Sequence, residues 1–264
     1  MTENKFNEFV EIVKRLRKEC PWDREQTNDS IKAATIEEAY EVVEAIEKKN
    51  YDELKNELGD LLLHVVFHTI IASETNGFII DDVIDSIRDK LIRRHPHVFG
   101  DVKVSGPEEV KKNWEEIKLS EGRESVLDGV PEMLPALQRA HRLQEKAAKV
   151  GFDWEKKEDV WKKVIEEIEE MHEIEKIKNQ KSKVKSDEEL YTELENEIGD
   201  VFFALVNYAR FLDINPENAL RRTNSKFISR FKYIEEKFKS LGKKLSDSTL
   251  KEMDVYWEES KKLF

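Results

Sequence analysis

The chain has 264 residues, 39% of them charged, and a net charge of -12; that balance opposes binding to a polyanion, which normally needs a basic stripe, so nucleic acid is not an expected partner. Its single cysteine, Cys20, excludes an intramolecular disulfide and fits a reducing cytoplasm. No apolar leader core follows Met1, and the longest mostly apolar run, Leu61 to Ala72, is broken by His64 and His68 and is too short to span a bilayer, so a cytoplasmic protein without a membrane segment is expected.

Glycine (9) and proline (6) are scarce, and apolar residues recur at helical spacing, which predicts an all-α protein. Phe6, Phe9, Val10, Val13 and Leu16 mark a first helix from about Asn4 to Lys18, which Cys20-Pro21-Trp22-Asp23 ends. A second starts near Asp29 or Ser30 and is expected to bury Ile36, Ala39, Val43 and Ile46. The third, Asp52 to Ser73, is apolar all round after its first turns and should be central in its bundle. Asp81 is the expected cap of a fourth that Pro96 stops, and Pro107 opens a fifth. The stretch 120–131 has connector composition and is read as a linker between domains at 1–119 and 132–264. Further helices are expected at about Glu132–Lys149, Lys157–Lys178, Asp187–Leu212, Pro216–Ser240 and Ser246–Lys261.

The two halves repeat one pattern. Glu37-Glu38-x-x-Glu41 and Glu57-Leu-Gly59-Asp60 return as Glu166-Glu167-x-x-Glu170 and Glu197-Ile-Gly199-Asp200; Lys90-Leu-Ile-Arg93-Arg94 returns as Lys226-Phe-Ile-Ser-Arg230, and Trp114-Glu-Glu-x-Lys118 as Trp257-Glu-Glu-x-Lys261. Four landmarks in one order argue for a tandem duplication. The second copy inserts a polar stretch at Lys176–Ser186.

Carboxylates three apart share a helix face, so each half gathers four on facing helices, a set suited to a hard divalent cation such as Mg²⁺. A single Glu in so charged a chain is usually a solvated side chain; recurrence, and a position bordering an apolar run, favour metal ligation. Gly59 and Gly199 suggest close approach of another backbone. Lys90 with Arg94, and Lys226 with Arg230, are i,i+4 pairs that fit either surface salt bridges or a grip on phosphate. Trp22, Trp114 and Trp257 read as core or interface, and His64 and His68 as local packing, since Ala204 and Tyr208 hold their places in the second half. A di-iron oxidase would need two Glu-x-x-His motifs and only Glu169 to His172 fits, while a helical nucleotide- or protein-binding module without catalysis is the other alternative.

Taken with Cys20-Pro-Trp-Asp-Arg-Glu-Gln-Thr27, Arg93-Arg-His-Pro-His-Val-Phe99 and Gly151-Phe-Asp-Trp154, these motifs closely resemble the MazG nucleoside triphosphate pyrophosphohydrolases over nearly the whole chain. The resemblance implies a homodimer of all-α domains that hydrolyses nucleoside triphosphates at the α-phosphorus with Mg²⁺, or Mn²⁺ in its place, in general turnover or to clear aberrant nucleotides. It implies metal ligation by Glu167, Glu170, Glu197 and Asp200, and by Glu38, Glu41, Glu57 and Asp60 in the first half. Glu166 and Glu37 would orient water or the metal ligands; Lys163, Asn224, Lys226 and Arg230, with Lys90, Arg93 and Arg94, would contact phosphate, and Trp257 would bound the nucleotide. Glu193 stands where the family can carry a lysine. Lys163 has Ala34 as its first-half counterpart, so the second domain is expected to carry most of the turnover.

Overall fold

The computed structural model describes residues 2–121, 124–179 and 186–264, and among these the chain is all-α with no strand. It divides into two compact units, Met1–Val110 and Lys111–Phe264. The first contains α1 (Thr2–Glu19), α2 (Pro21–Glu25), α3 (Lys32–Glu47), α4 (Tyr51–Ser73), α5 (Ile80–Arg94) and α6 (Pro96–Phe99). Helix α7 (Pro107–Ser120) crosses the division, which lies upstream of the connector-like stretch; residues 122–123 of that stretch are outside the described residues. The second unit continues with α8 (Ala136–Lys149), α9 (Lys157–Asn179), α10 (Asp187–Phe211), α11 (Pro216–Ser240), a 3₁₀ turn at Leu245–Asp247 and α12 (Leu250–Ser260). Of the polar insertion, Lys176 to Asn179 form the end of α9, and 180–185 are outside the described residues.

In the first unit the α1 stripe does what its spacing predicts. Val10 and Val13 pack with Ile31 and with Val66, Phe67 and Ile71 of α4, each fully buried apolar side chain contributing roughly 1.5–3 kcal/mol. Arg17, one turn further on, ties three segments together: it donates to both carboxylate oxygens of Glu74 (2.7 and 2.8 Å), to the carbonyl of Gln26 (2.9 Å) and to that of Asp23. Asn50 caps α4 by accepting from the Glu53 N–H at 3.2 Å. The expected cap of α5 is displaced by one residue: Asp82, not Asp81, accepts from the Ile79 N–H at 2.9 Å, closing the first turn from inside.

Two packing expectations are corrected. On α3 the buried residue is Ala45, while Ile36 (51% exposed), Ala39 and Ile46 face outward. On α4, Leu58, Leu62 and Val65 are likewise exposed although Val66 and Phe67 are buried. Within the first unit, the described helices leave part of this hairpin's apolar surface uncovered.

In the second unit α9 and α10 run antiparallel, with Trp161 against Tyr208 at one end and Lys178 over Tyr191 at the other. Val160 and Val164 of α9, Leu190, Ala204 and Val206 of α10, and Ile234 and Phe238 of α11 are buried. Ser186 and Glu189 start α10 with reciprocal capping bonds, and Asn215 followed by Pro216 starts α11.

Candidate active site

Because α9 and α10 are antiparallel, the second E-E-x-x-E meets the second E-x-G-D. Glu167, Glu197 and Asp200 each bring one carboxylate oxygen within 4.8 Å of the other two. Glu167 is buried, only 8% exposed, whereas Asp200 is open to solvent. Glu170, expected as a fourth member, lies outside this trio on an exposed turn; desolvation and the neighbouring Glu167 push its carboxyl above the ordinary range. Lys163, one turn before Glu167, is the local counter-charge, 2.6 Å from a Glu166 oxygen and 2.8 Å from a Glu167 oxygen. These bonds, Glu166 first, push its ammonium pKa upward and keep it charged.

The trio opens on a cavity of about 740 Å³ that Lys163, Glu167 and Asp200 line together with apolar and aromatic groups, among them Phe152, Trp154 and Phe203. A volume of this size is in the range of small-ligand sites, and its charged end is net negative, so an anionic group would need a cation between it and the carboxylates. The cavity walls were not legible as site residues. Gly151-Phe-Asp-Trp154 stands out in the sequence only as a motif, and Arg210 and Asn207, which also line the cavity, carry no periodic signal.

In the first unit the equivalent trio is Glu38, Glu41 and Glu57, again with one oxygen each within 4.8 Å; Asp60 is outside it. Desolvation, followed by the charges of Glu41 and Asp60, raises the carboxyl pKa of both Glu38 and Glu57. Glu37 is exposed on α3. Lys90, Arg93 and Arg94 form the last turns of α5.

The α11 candidates lie elsewhere in the second unit. Asn224 and Lys226 are exposed and do not line the carboxylate cavity. Arg230 donates to the Phe264 main-chain oxygen at 2.8 Å and sits 5.7 Å over the Trp257 ring, which packs on Phe227 beside a smaller cavity of about 250 Å³. The glycine expectation is corrected: among the described residues a Cβ at Gly59 or Gly199 would meet nothing within 4 Å, so no neighbouring backbone among them requires either glycine.

An all-α helix pair carrying a carboxylate trio, bordered by a lysine and opening on a nucleotide-sized cavity, places the protein among metal-dependent helical hydrolases of nucleotides. The family model for the MazG nucleotide pyrophosphohydrolase domain matches residues 26–99 and 155–234, which include both trios. Nucleoside triphosphate pyrophosphohydrolase/pyrophosphatase MazG of Thermotoga maritima is 44% identical over 97% of this chain and 95% of its own. Nucleoside triphosphate pyrophosphohydrolase of Escherichia coli is 40% identical over 98% of each. YabN of Bacillus subtilis is 47% identical over 98% of this chain and 52% of its own length. The chain belongs to the MazG nucleotide pyrophosphohydrolase family and is an enzyme of that family.

Proposed function

We propose that the second unit hydrolyses nucleoside triphosphates at the α-phosphorus, releasing nucleoside monophosphate and pyrophosphate, with the triphosphate at the Glu167–Glu197–Asp200 end of the cavity and the nucleoside toward Phe152 and Trp154. The observation that carries this reading is the junction of a carboxylate trio, anchored by the buried Glu167, with an aromatic-walled cavity. The donor set fits Mg²⁺: every contributing atom is a hard carboxylate oxygen, with no histidine or cysteine among the three, and Mn²⁺ accepts the same set. Bound there, the cation supplies charge neutralisation for phosphate oxygens and acidifies water.

The chain's own groups supply the rest. Lys163 already holds an ammonium at the cavity edge, where it can exchange carboxylate for phosphate oxygens. Glu166 is exposed and one residue from the trio, placed to accept a proton from attacking water. Glu170 completes the ligand set as crowding around it is relieved. Asn224, Lys226 and Arg230 of α11 and Trp257 are proposed as triphosphate and nucleotide contacts made when substrate is present. Glu38, Glu41, Glu57 and Asp60 form a second divalent-cation set in the first unit, with Glu37 beside it and Lys90, Arg93 and Arg94 as its phosphate-facing residues. The exposed apolar residues of α3 and α4, including Ile36, Ile46, Leu58 and Leu62, support assembly as a homodimer, and the reaction is assigned to the cytoplasm. Clearing aberrant nucleotides is a role compatible with a cavity whose walls are chiefly apolar.

The test is incubation of the protein with a panel of ordinary and modified nucleoside triphosphates and Mg²⁺. Monophosphate and pyrophosphate in equal amounts are expected; diphosphate and orthophosphate, or no turnover, would refute the assignment.

A further inference from the structure

Arg210 stands in the last turn of α10, on the side of the cavity away from the chemistry of the carboxylates. Its Nη1 donates to Asp153 Oδ2 at 2.9 Å and its Nη2 to Asp153 Oδ1, a two-pronged pair across 57 positions of sequence. The pair is shielded, with Arg210 15% and Asp153 28% exposed, so it is screened less than a surface ion pair. Asp153 Oδ1 also accepts from the Trp154 N–H at 2.9 Å, which carries the grip to the backbone of an aromatic wall residue. The same guanidinium donates from Nε (3.0 Å) and Nη2 (2.9 Å) to Asn207 Oδ1. Since guanidinium only donates, those bonds fix which end of the Asn207 amide is oxygen and leave its NH₂ as the end for other partners. Asp153, Trp154, Asn207 and Arg210 all line the cavity.

The duplication shows that the fold does not need this device. With Asp60 aligned to Asp200, Asn207 corresponds to Phe67, a core residue 7% exposed, and Arg210 to Ile70. The first unit instead secures the segment after α1 with Arg17, from a different helix, through main-chain carbonyls and Glu74. The same helical frame therefore holds together with apolar residues where the second unit has Asn207 and Arg210, both of which line its cavity.

We propose that Arg210 is a positioning residue for the nucleoside: through Asp153 it sets the Gly151–Trp154 wall, and through Asn207 it presents an N–H donor to an acceptor on the base or sugar. The proposal rests on the reading that the nucleoside occupies this cavity. Arg210→Met and Asp153→Asn should each raise KM for ATP and GTP by about tenfold, the equivalent of one lost well-placed contact, while kcat stays within about twofold. The exchange Asp153→Arg with Arg210→Asp should recover at least half of that loss on a logarithmic scale. A merely structural role would lower the unfolding temperature without this split or this rescue. Folded Arg210→Met with unchanged KM, or with kcat reduced at constant KM, overturns the proposal; if Arg210→Met does not fold by circular dichroism, Asp153→Asn decides by the same criteria. Ala204→Phe, which fills the cavity, separates the two levels. If the folded variant retains parental KM and kcat, the nucleoside is not in the cavity and the underlying reading fails. If it is inactive while Arg210→Met and Asp153→Asn behave as the parent, only the role of Arg210 fails.

Discussion

Glu167→Gln tests the carboxylate trio through three quantities: cation-free stability, the stabilisation by Mg²⁺, and hydrolysis. Glu167 is buried and accepts from Lys163 at 2.8 Å, so the amide weakens a charge-assisted bond of roughly 1.5–3 kcal/mol, although Lys163 keeps Glu166 at 2.6 Å. Against that loss stands repulsion from Glu197 and Asp200, whose oxygens lie within 4.8 Å; each pair repels by about 1 kcal/mol at the dielectric of water, which suits a site open at Asp200, so the two together come to about 2 kcal/mol. The terms are comparable and opposite. Without divalent cation the variant should therefore differ from the parent by less than about 1 kcal/mol, within about 2–4 °C of melting temperature for a unit of this size. Addition of Mg²⁺ should stabilise the parent by about 2.7 kcal/mol at a hundredfold excess over Kd and leave the variant near its cation-free melting point. Release of monophosphate from ATP should fall by about a hundredfold or more. Thermal melts with and without Mg²⁺, beside a product assay, measure all three. A variant that melts far below the parent without cation, keeps the Mg²⁺ shift, or retains hydrolysis would refute the reasoning.

Glu38→Gln should reduce total turnover less than Glu167→Gln, because Ala34 stands where the second unit has Lys163; a larger loss in side-by-side kinetics overturns that ranking. Gly151 ends α8 with φ +88°, so Gly151→Ala should lower stability by about 1–2 kcal/mol in urea titration and raise KM by tilting the wall that follows. The hydrogen bond and charge of Arg17 hold the Glu74 carboxyl below its ordinary value of 4.5. A depressed folded pKa means that the stabilisation is present above the unfolded value and is lost as pH falls through the folded one. Glu74→Gln should thus be less stable than the parent by under about 1 kcal/mol at pH 7, the pair being partly exposed, and urea melts at decreasing acid pH should show that difference shrinking; a constant difference would disprove it.

The helices and the carboxylate sets were legible because both depend on spacing along one chain. A 3.6-residue period placed α1, α9 and α11 nearly to their ends, and i,i+3 carboxylates could only share a face. What lay beyond spacing was which face meets which neighbour. Ile36 and Ile46 carry the same apolar signature as a core stripe, yet packing leaves them outside. Glu170 and Asp60 fit the repeat as well as their neighbours, but their oxygens do not reach the trios. Arg210 and Asp153 are separated by 57 positions, so their contact is a property of the folded chain; a glycine followed by aromatics and an acid was the only local sign of it.

The two units differ in what stands beside their carboxylate trios. Both keep a trio on a helix pair, but Ala204, which lines the second cavity, corresponds to His64. His64 Nδ1 and His68 Nε2 lie 2.9 and 2.8 Å from Thr35 Oγ1, and His68 Nδ1 lies 2.8 Å from Asn28 Oδ1. Thr35 Oγ1 also donates to the Ile31 carbonyl at 3.1 Å, and since Asn28 Oδ1 only accepts, His68 donates there from Nδ1. Burial lowers both imidazole pKa values, which favours the neutral rings. The network bridges α3 to α4 with polar side chains where α9 and α10 border open space. One helical frame thus carries a carboxylate trio beside either a hydrogen-bonded bridge of side chains or a cavity, and the prediction that the second unit carries most of the turnover rests on those neighbouring positions as much as on Lys163.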